Sequence, residues 1–309
     1  MNSAKNRSVL CVDIGGTSTK AGLVDVHGQV RFLDSIPTKP TSETYFQALA
    51  ELIAKVQDHE HPPTRMGVAV AGFLDPERTR LVHNSNLSWL EGFPLRDRLA
   101  QRFPALAIEL EIDSNAATMA EYSLGSGHGS HRFLCVTAGT GLGVGMTVDG
   151  VPLRFAYGCL GDIGHVIVLR NGPLCTCGGR GCAEVMISAP LLAQQYKTAA
   201  ALLPHDVSLR DVIEAAQSGD GAAVSVLEQA GEWLGVALAS FANIFFPDYI
   251  AIAGGLSAAG DLVLKPAERV FRECACELAR SKATLAQAAL GSTATLVGAA
   301  WPFWKEQEE

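Results

Sequence analysis

The stretch Ser8-Val-Leu-Cys-Val-Asp13-Ile-Gly-Gly-Thr17 decides the fold. An apolar run of strand length, Ser8–Ile14, carries a carboxylate near its end, then two residues without Cβ atoms, then a hydroxyl. A short apolar run bounded by glycine reads as a buried strand. Lys20–Val26 reads as the strand returning beside it and Val30–Ser35 as a third, with His27-Gly28 as the turn between them. The same pattern recurs further on: Arg132–Thr137 is a strand, Ala138-Gly-Thr-Gly141 a glycine turn and Gly143–Val148 a returning strand. Two strand–turn–strand units about 125 positions apart predict two lobes of related architecture in an α/β fold.

Small glycine turns let backbone N–H groups close on phosphate oxygens. Thr17 adds a hydroxyl donor, and Asp13 is placed to hold Mg²⁺ through water. Thr137-Ala-Gly-Thr-Gly141-Leu-Gly143 offers a second cradle. One glycine hairpin alone is more often just a hairpin. Two in corresponding places of two half-chains favour a nucleotide held between lobes. The Gly-Lys-Ser/Thr pattern of the P-loop is absent, as is the spacing of the dinucleotide fingerprint.

Between the two turns, Thr44–Gln57 has helical spacing, with Phe46, Leu49, Leu52, Ile53 and Val56 on one face. Met66–Ala71 is a short strand running into Gly72. A loop with Asn84, Asn86 and Trp89 leads to a helix over Leu95–Arg102. Ile108–Ile112 is a strand ending at Asp113, and Asn115–Tyr122 is helical. Asp113 is then either the N-cap of that helix or a carboxylate free to take a proton. The last third reads as helices over Ala189–Thr198, Leu209–Gln217, Gly221–Phe245 and Asp261–Arg280. One strand, Tyr249–Ala253, interrupts them and ends in Gly254-Gly255. Trp301–Trp304 reads as the end of a packed helix.

Cys175-Thr-Cys177-Gly-Gly-Arg-Gly-Cys182 follows Gly164-His165 by ten residues. Three thiols and one imidazole within eighteen positions make a closed Cys3His zinc set, structural because it keeps no position for water. The glycines at 178, 179 and 181 let the short loop wrap so that His165, Cys175, Cys177 and Cys182 reach one centre.

The chain has 309 residues, 48% hydrophobic and 18% charged, which is globular composition, long enough for two lobes. A net charge of −8 disfavours nucleic acid, whose affinity comes mainly from Lys and Arg on phosphates. It does not disfavour ATP, whose phosphates meet backbone N–H groups. The basic start precedes an apolar run that is too short for a signal peptide and carries Asp13. Trp233–Ala253, the most apolar region, is broken by Asn243, Pro247 and Asp248, so no membrane helix is expected. Eight cysteines without a secretory signal point to reduced thiols and a cytoplasmic protein. Cys11, Cys135 and Cys159 read as core, and Cys274 and Cys276 as cysteines without a function. The histidines other than His165 read as solvated.

Asp13-Ile-Gly-Gly-Thr17, the Thr-Ala-Gly-Thr-Gly-Leu-Gly run, Gly161-Asp-Ile-Gly-His165, the Cys-x-Cys-x4-Cys-x-Glu184 segment and Ala253-Gly-Gly255 fall in the order of the ROK family (repressors, open reading frames, kinases). The chain resembles that family over nearly its whole length. The resemblance implies a two-lobed actin-like (ribonuclease H-like) fold, a first lobe over 1–113 with 299–309 returning to it, and a second over 114–298 carrying the zinc loop 161–184. It also implies ATP-dependent phosphorylation of a sugar hydroxyl, usually the 6-OH of a hexose, in a homodimer. Gly15, Gly16 and Thr17, with Asp13 and Lys20, resemble the first phosphate site. Gly139, Thr140 and Gly141 resemble the second, and Gly254-Gly255 the adenosine contact. Asp113 falls on the family's catalytic base, and Gly72, Asn86, Asp162, His165 and Glu184 on or near its sugar side. A sugar hydroxyl attacking a γ-phosphoryl group does need a carboxylate to accept its proton.

Two positions depart from the family pattern. The usual Asn-Asp at the base is Ile112-Asp113 here, and Gly-Glu-x-Gly-His is Gly161-Asp162-Ile-Gly-His165. Both fall at sugar-contacting positions and imply an altered substrate: another hexose epimer, a less hydroxylated sugar or a cyclitol. The alternative class is a non-catalytic ROK sugar sensor or transcriptional regulator. Regulators of the family carry a helix-turn-helix before the first phosphate-like turn, and only twelve residues precede Asp13 here.

Overall fold

Chain order explains the first unit. Strands β1 (Val9–Ile14), β2 (Ser18–Val24) and β3 (Val30–Pro37) pair antiparallel in sequence, joined by the Gly15–Thr17 and His27-Gly28 turns. Helix α1 (Ser42–Gln57) follows and buries Tyr45, Phe46, Leu49, Leu52, Ile53 and Val56, the face that the spacing predicts. Then come β4 (Arg65–Val70), a short hairpin of β5 (Phe73–Leu74) and β6 (Leu81–His83), helix α2 (Leu95–Arg102) and β7 (Ala107–Ile112). The sheet order is β3-β2-β1-β4-β7, with β1, β4 and β7 parallel. Their carboxyl ends therefore lie along one edge, where ligands bind in open α/β sheets. The apolar core holds Leu10, Val12, Ile14, Val68, Leu110 and Ile112 among its members.

Helix α3 (Asp113–Leu124) leaves β7 directly and starts two residues earlier than the spacing suggests. The second unit repeats the opening. Strands β8 (Arg132–Ala138) and β9 (Leu142–Val148) pair antiparallel around the second glycine turn. In chain order a two-residue strand β10 (Val151–Pro152), in a segment that belongs to the first unit, comes next, and helices α4 (Ala183–Ile187), α5 (Ala189–Ala199), α6 (Leu209–Gln217) and α7 (Gly221–Phe245) and strand β11 (Tyr249–Ala253) continue the second. Helices α8 (Asp261–Cys274) and α9 (Glu277–Lys282) replace the single helix expected over Asp261–Arg280, because Ala275 and Cys276 are extended. Strand β12 (Thr284–Gln287) adds a second strand to the last third, and the order β9-β8-β11-β12 matches β2-β1-β4-β7. Helices α10 (Ala294–Gly298) and α11 (Trp301–Lys305) close the chain.

The computed structural model describes residues 8–39, 41–57, 62–84, 86–201 and 206–305. Residues 1–7, with the basic start, and His59, His61 and His205 lie outside them. The chain divides into Met1–Gly125, Gly150–Gly161 and Thr293–Glu309 as one unit, and Ser126–Asp149 and Asp162–Ser292 as the other. That differs from a boundary after Asp113 and a return at residue 299. Helix α3 stays with the first unit because it packs on α10 at backbone distance: a Cβ on Gly298 would stand 1.7 Å from the Ala116 carbonyl oxygen. Segment Gly150–Gly161, expected in the second lobe, also belongs to the first. Among the described residues no helix is long and apolar enough to cross a membrane.

Candidate active site

The first unit gathers its candidates at the carboxyl ends of β1, β4 and β7. Asp13 pairs in register with Lys20 across β2 and with Ala69 across β4. Burial pushes its carboxyl up to about 6, and the Lys20 charge draws it part of the way back. The Gly15 N–H donates to the Ser18 carbonyl (3.1 Å), which closes the turn, and Gly16 and Thr17 are exposed at its tip. Thr38 braces the turn from below, its Oγ1 donating to the Gly15 carbonyl at 2.8 Å. Asn86 lies against the turn, its Cβ 3.0 Å from where a Gly16 side chain would begin. Asn84 is spent locally, its Oδ1 accepting from the N–H groups of Asn86 and Leu87. Gly72 has φ +110°, and a Cβ there would meet the His83 carbonyl oxygen at 2.5 Å, so close packing accounts for glycine at this position.

Asp113 is the first residue of α3, and Ile112, not Asp113, occupies the N-cap position. Its Oδ1 accepts from the Ser114 N–H at 2.7 Å. Burial first, and the neighbouring Asp13 charge second, lift its carboxyl to about 7. A carboxyl raised in this way at a strand end is ready to take a proton near neutrality. Ile112 itself is 3% exposed and belongs to the core with Cys159. Its side chain packs into the apolar core.

In the second unit the glycine turn and the strand end after β11 meet. A Cβ on Gly139 would stand 3.8 Å from the Gly255 nitrogen. Gly254 has φ +85°, and a Cβ there would stand 2.3 Å from the Ala138 carbonyl oxygen, a space that only glycine fits. Thr140 is exposed at the turn. Glu184, in the first turn of α4, reaches this turn: its Oε2 accepts from the Leu142 N–H at 3.0 Å. Gly141 makes the room, since a Cβ there would be 2.7 Å from that oxygen. Nothing in the sequence signals this contact, because the two residues stand 42 positions apart.

The ligand atoms of His165, Cys175, Cys177 and Cys182 all lie within 4.8 Å of one another. Tetrahedral Zn²⁺ with Zn–S of about 2.3 Å and Zn–N of about 2.0 Å has S···S and S···N edges of about 3.7 and 3.5 Å. Cys177 Sγ and Cys182 Sγ are 3.6 Å apart, and Cys175 Sγ and His165 Nδ1 are 3.5 Å apart, so the group fits zinc. The loop wraps through backbone bonds from Cys175 N–H to the Gly179 carbonyl and from Gly178 N–H to the Cys175 carbonyl. Gly178 and Gly181 take positive φ, as the loop reading requires, and Gly179 does not. With Nδ1 toward the sulfurs, His165 Nε2 points to Asp162 Oδ2 (3.4 Å) and Glu184 Oε1 (3.9 Å). A ligating histidine commonly gives its other N–H to a carboxylate in this way.

Sequence reading passed over Glu111, Asn115 and Arg154. Glu109 and Glu111 alternate with apolar residues along β7, and Glu111 is 2% exposed. Only the structure reveals it as a buried charge.

The model of the ROK family matches residues 9–306. The glucokinase of Streptomyces coelicolor is 32% identical over 94% of this chain and 95% of that protein. That of Halalkalibacterium halodurans is 31% identical over 96% and 94%. A ROK family glucokinase from Streptomyces griseus, solved in complex with glucose and AMPPNP, superposes with a TM-score of 0.86 at 33% identity, over 96% of this chain and 98% of that one. The two matched sheets, each begun by a strand, a glycine turn and a returning strand, have the actin-like, ribonuclease H-like arrangement. From its first strand to its last helix, the chain belongs to the ROK family.

Proposed function

We propose that this protein transfers the γ-phosphoryl group of ATP to a hexose hydroxyl, the 6-OH, with Asp113 as general base. The observation that carries the reading is the pair of raised carboxylates, Asp13 at about 6 and Asp113 at about 7, at the carboxyl ends of β1 and β7, which flank β4 in one sheet. A base whose pKa stands near the working pH takes a proton with least loss of either occupancy or driving force. Asp113 orients the attacking hydroxyl and accepts its proton as the bond to phosphorus forms. Gly15, Gly16, Thr17 and Lys20 in the first unit, and Gly139, Thr140 and Gly141 in the second, offer donors to phosphate oxygens, and Gly254-Gly255 offers backbone to the adenosine. Asp13, with its charge only partly offset, fits a cation, and Mg²⁺ there supplies charge neutralisation on the phosphates.

On the sugar side we assign Gly72, Asn86, Asp162, His165 and Glu184. Asn86 is preferred to Asn84 because the Asn84 oxygen is already taken. Zn²⁺ held by His165, Cys175, Cys177 and Cys182 supplies no reacting group. It fixes the loop from which His165 and Glu184 project. The packing of Ile112 and the likeness to glucokinases favour glucose over an altered sugar, which leaves Asp162 as the one departure able to change the preference. Coupled ATP consumption across a panel of hexoses, deoxy and amino sugars and cyclitols, with the product mapped by NMR, tests this. Turnover that needs a hexose and yields the 6-phosphate is the expected result. ATP hydrolysis indifferent to sugar, or no turnover with any hexose, overturns it.

A further inference from the structure

Glu111 is a buried charge that the proposed reaction does not use. Its Oε1 accepts two hydrogen bonds, from the Ile112 N–H (3.0 Å) and from Asn115 Nδ2 (2.9 Å). Its Oε2 accepts from Arg154 Nη2 (2.5 Å) and Arg78 Nη1 (3.3 Å). A carboxylate out of water is costly unless its lone pairs are filled, and four donors with two guanidinium charges fill these.

The positions of the donors give the cluster its meaning. Ile112 is the residue before Asp113, and Asn115 stands two residues after it in the first turn of α3. Asn115 Nδ2 also donates to the Gly158 carbonyl at 2.8 Å. Arg154 and Gly158 belong to the segment Gly150–Gly161, which the chain inserts into the first unit between two stretches of the second. The turn at Gly158 lies against the base's neighbour: a Cβ there would be 3.6 Å from Ile112 Cδ1. One carboxylate thus holds the end of β7, the start of α3 and the inserted turn together, with Asp113 at the joint. Among the described residues, Asn115 Oδ1 and Arg154 Nε are buried without a hydrogen-bond partner. Replacing a buried ion pair by apolar groups is often neutral or stabilising, so a cluster of this kind is weak evidence of a role in stability alone.

We infer that Glu111, clamped by Arg154, is a positioning residue that fixes the β7–α3 junction so that Asp113 holds one orientation toward the hydroxyl it deprotonates. The inference rests on the reading of Asp113 as the base. Steady-state kinetics of Glu111→Gln, Arg154→Met, Arg154→Lys, the Glu111→Gln/Arg154→Met double variant and Asp113→Asn test both together, each normalised to the folded fraction. Misplacing a reacting group by about 1 Å costs up to about a hundredfold, so Glu111→Gln and Arg154→Met should each lose about tenfold to a hundredfold in kcat. KM for ATP and for sugar should stay within about threefold, because neither residue is assigned a substrate contact. Arg154→Lys should recover most of the loss, and the double variant should be no slower than the worse single one. If Glu111→Gln fails to fold, the Arg154→Met and Arg154→Lys comparison decides alone. Near-normal kcat in the folded singles beside an inactive Asp113→Asn overturns the positioning role and leaves the base intact. An active Asp113→Asn overturns the base itself, whatever Glu111 does.

Discussion

Thr137 stands in β8 where Asp13 stands in β1, one residue before the strand ends and its glycine turn begins. The frames agree strand for strand: Asp13 faces Lys20 on the antiparallel side and Ala69 on the parallel side, and Thr137 faces Gly143 and Ala253. The chemistry differs. Asp13 carries a titratable charge lifted to about 6, beside a second carboxylate at about 7. Thr137 is neutral, and its hydroxyl is spent on the Gly143 carbonyl at 3.1 Å. The second turn borrows its carboxylate from Glu184, through the Leu142 N–H. The end of β11 packs against this second turn: a Cβ on Gly254, which has positive φ, would stand 2.3 Å from the Ala138 carbonyl oxygen, whereas a Gly16 Cβ in the first turn would meet the Asn86 side chain at 3.0 Å. One backbone motif stands beside two raised carboxyls in the first unit and against the close-packed end of β11 in the second.

The largest expected effect follows from that division. Asp113→Asn keeps size and hydrogen-bonding reach but removes proton acceptance, so kcat should fall by about 10²–10⁴ with sugar affinity largely retained. No neutral substitution at Thr137 should approach that loss. Single-turnover rates and sugar dissociation constants on both variants check it. A Thr137 variant as slow as Asp113→Asn, or an Asp113→Asn enzyme near the wild-type rate, would break the comparison.

Much of this contrast was legible beforehand. Strand, glycine turn and returning strand are local patterns, and both copies stand where periodicity places them. Helix α7 begins after Asp220 and runs to Phe245 as its spacing predicts. The convergence of His165, Cys175, Cys177 and Cys182 on one centre was legible because ligand spacing within a loop is itself a local property. What stayed hidden depends on distance in sequence or on short length. The β5–β6 hairpin has strands of two and three residues, too few for alternation to register. Strand β12 is four residues of an edge, Thr-Leu-Ala-Gln, and lacks the apolar run of its neighbour β11. The α8–α9 break falls at Ala275-Cys276, where neither residue opposes a helix by propensity. The burial of Ile112 in the core was not legible, because sequence shows a residue's type but not which way it packs. Glu111 and Glu184 act through partners more than forty positions away, Arg154 and Leu142.

Zinc removal should give an intermediate effect, confined to one side of the comparison. In Cys177→Ser the loop loses a ligand, and with it the fixed placement of His165 and Glu184. Zinc should fall from about one per chain, the melting temperature should drop by several degrees, and sugar KM should rise about tenfold, the order reported for losing support around a metal. Hydrogen exchange should quicken at Leu142 and through 175–182, while the Gly15 amide, whose acceptor is the Ser18 carbonyl in its own turn, keeps its protection. Wild-type protein purified without chelator that holds no stoichiometric zinc would refute the metal. Equal loosening of both turns would refute the independence of the first.

The smallest effect is a gain in stability, and its sign depends on pH. Asp13 and Asp113 have folded pKa values raised to about 6 and about 7, against about 3.9 for an unfolded aspartate. Between about 4 and 7 the folded chain therefore holds protons that the unfolded chain has released. The contribution of these groups is most favourable below about 4 and is lost as pH rises through 6 and 7. At pH 8 both are ionised in surroundings that disfavour the charge, so Asp113→Asn should melt higher than wild type. The full shift corresponds to about 4 kcal/mol, and because Asp113 keeps some contact with solvent a gain on the order of 1 kcal/mol, or about 2 °C, is the reasonable expectation. The advantage should be nearly constant above about 7, shrink as pH falls from 7, and vanish near 4. Thr137→Val, at the matching place in the neutral turn, should show no such pH dependence. Melting curves of the three proteins from pH 4 to 8 measure it directly, and an Asp113→Asn advantage that is flat with pH, or that grows toward acid, would show that its carboxylate carries no strain of charge in the folded protein.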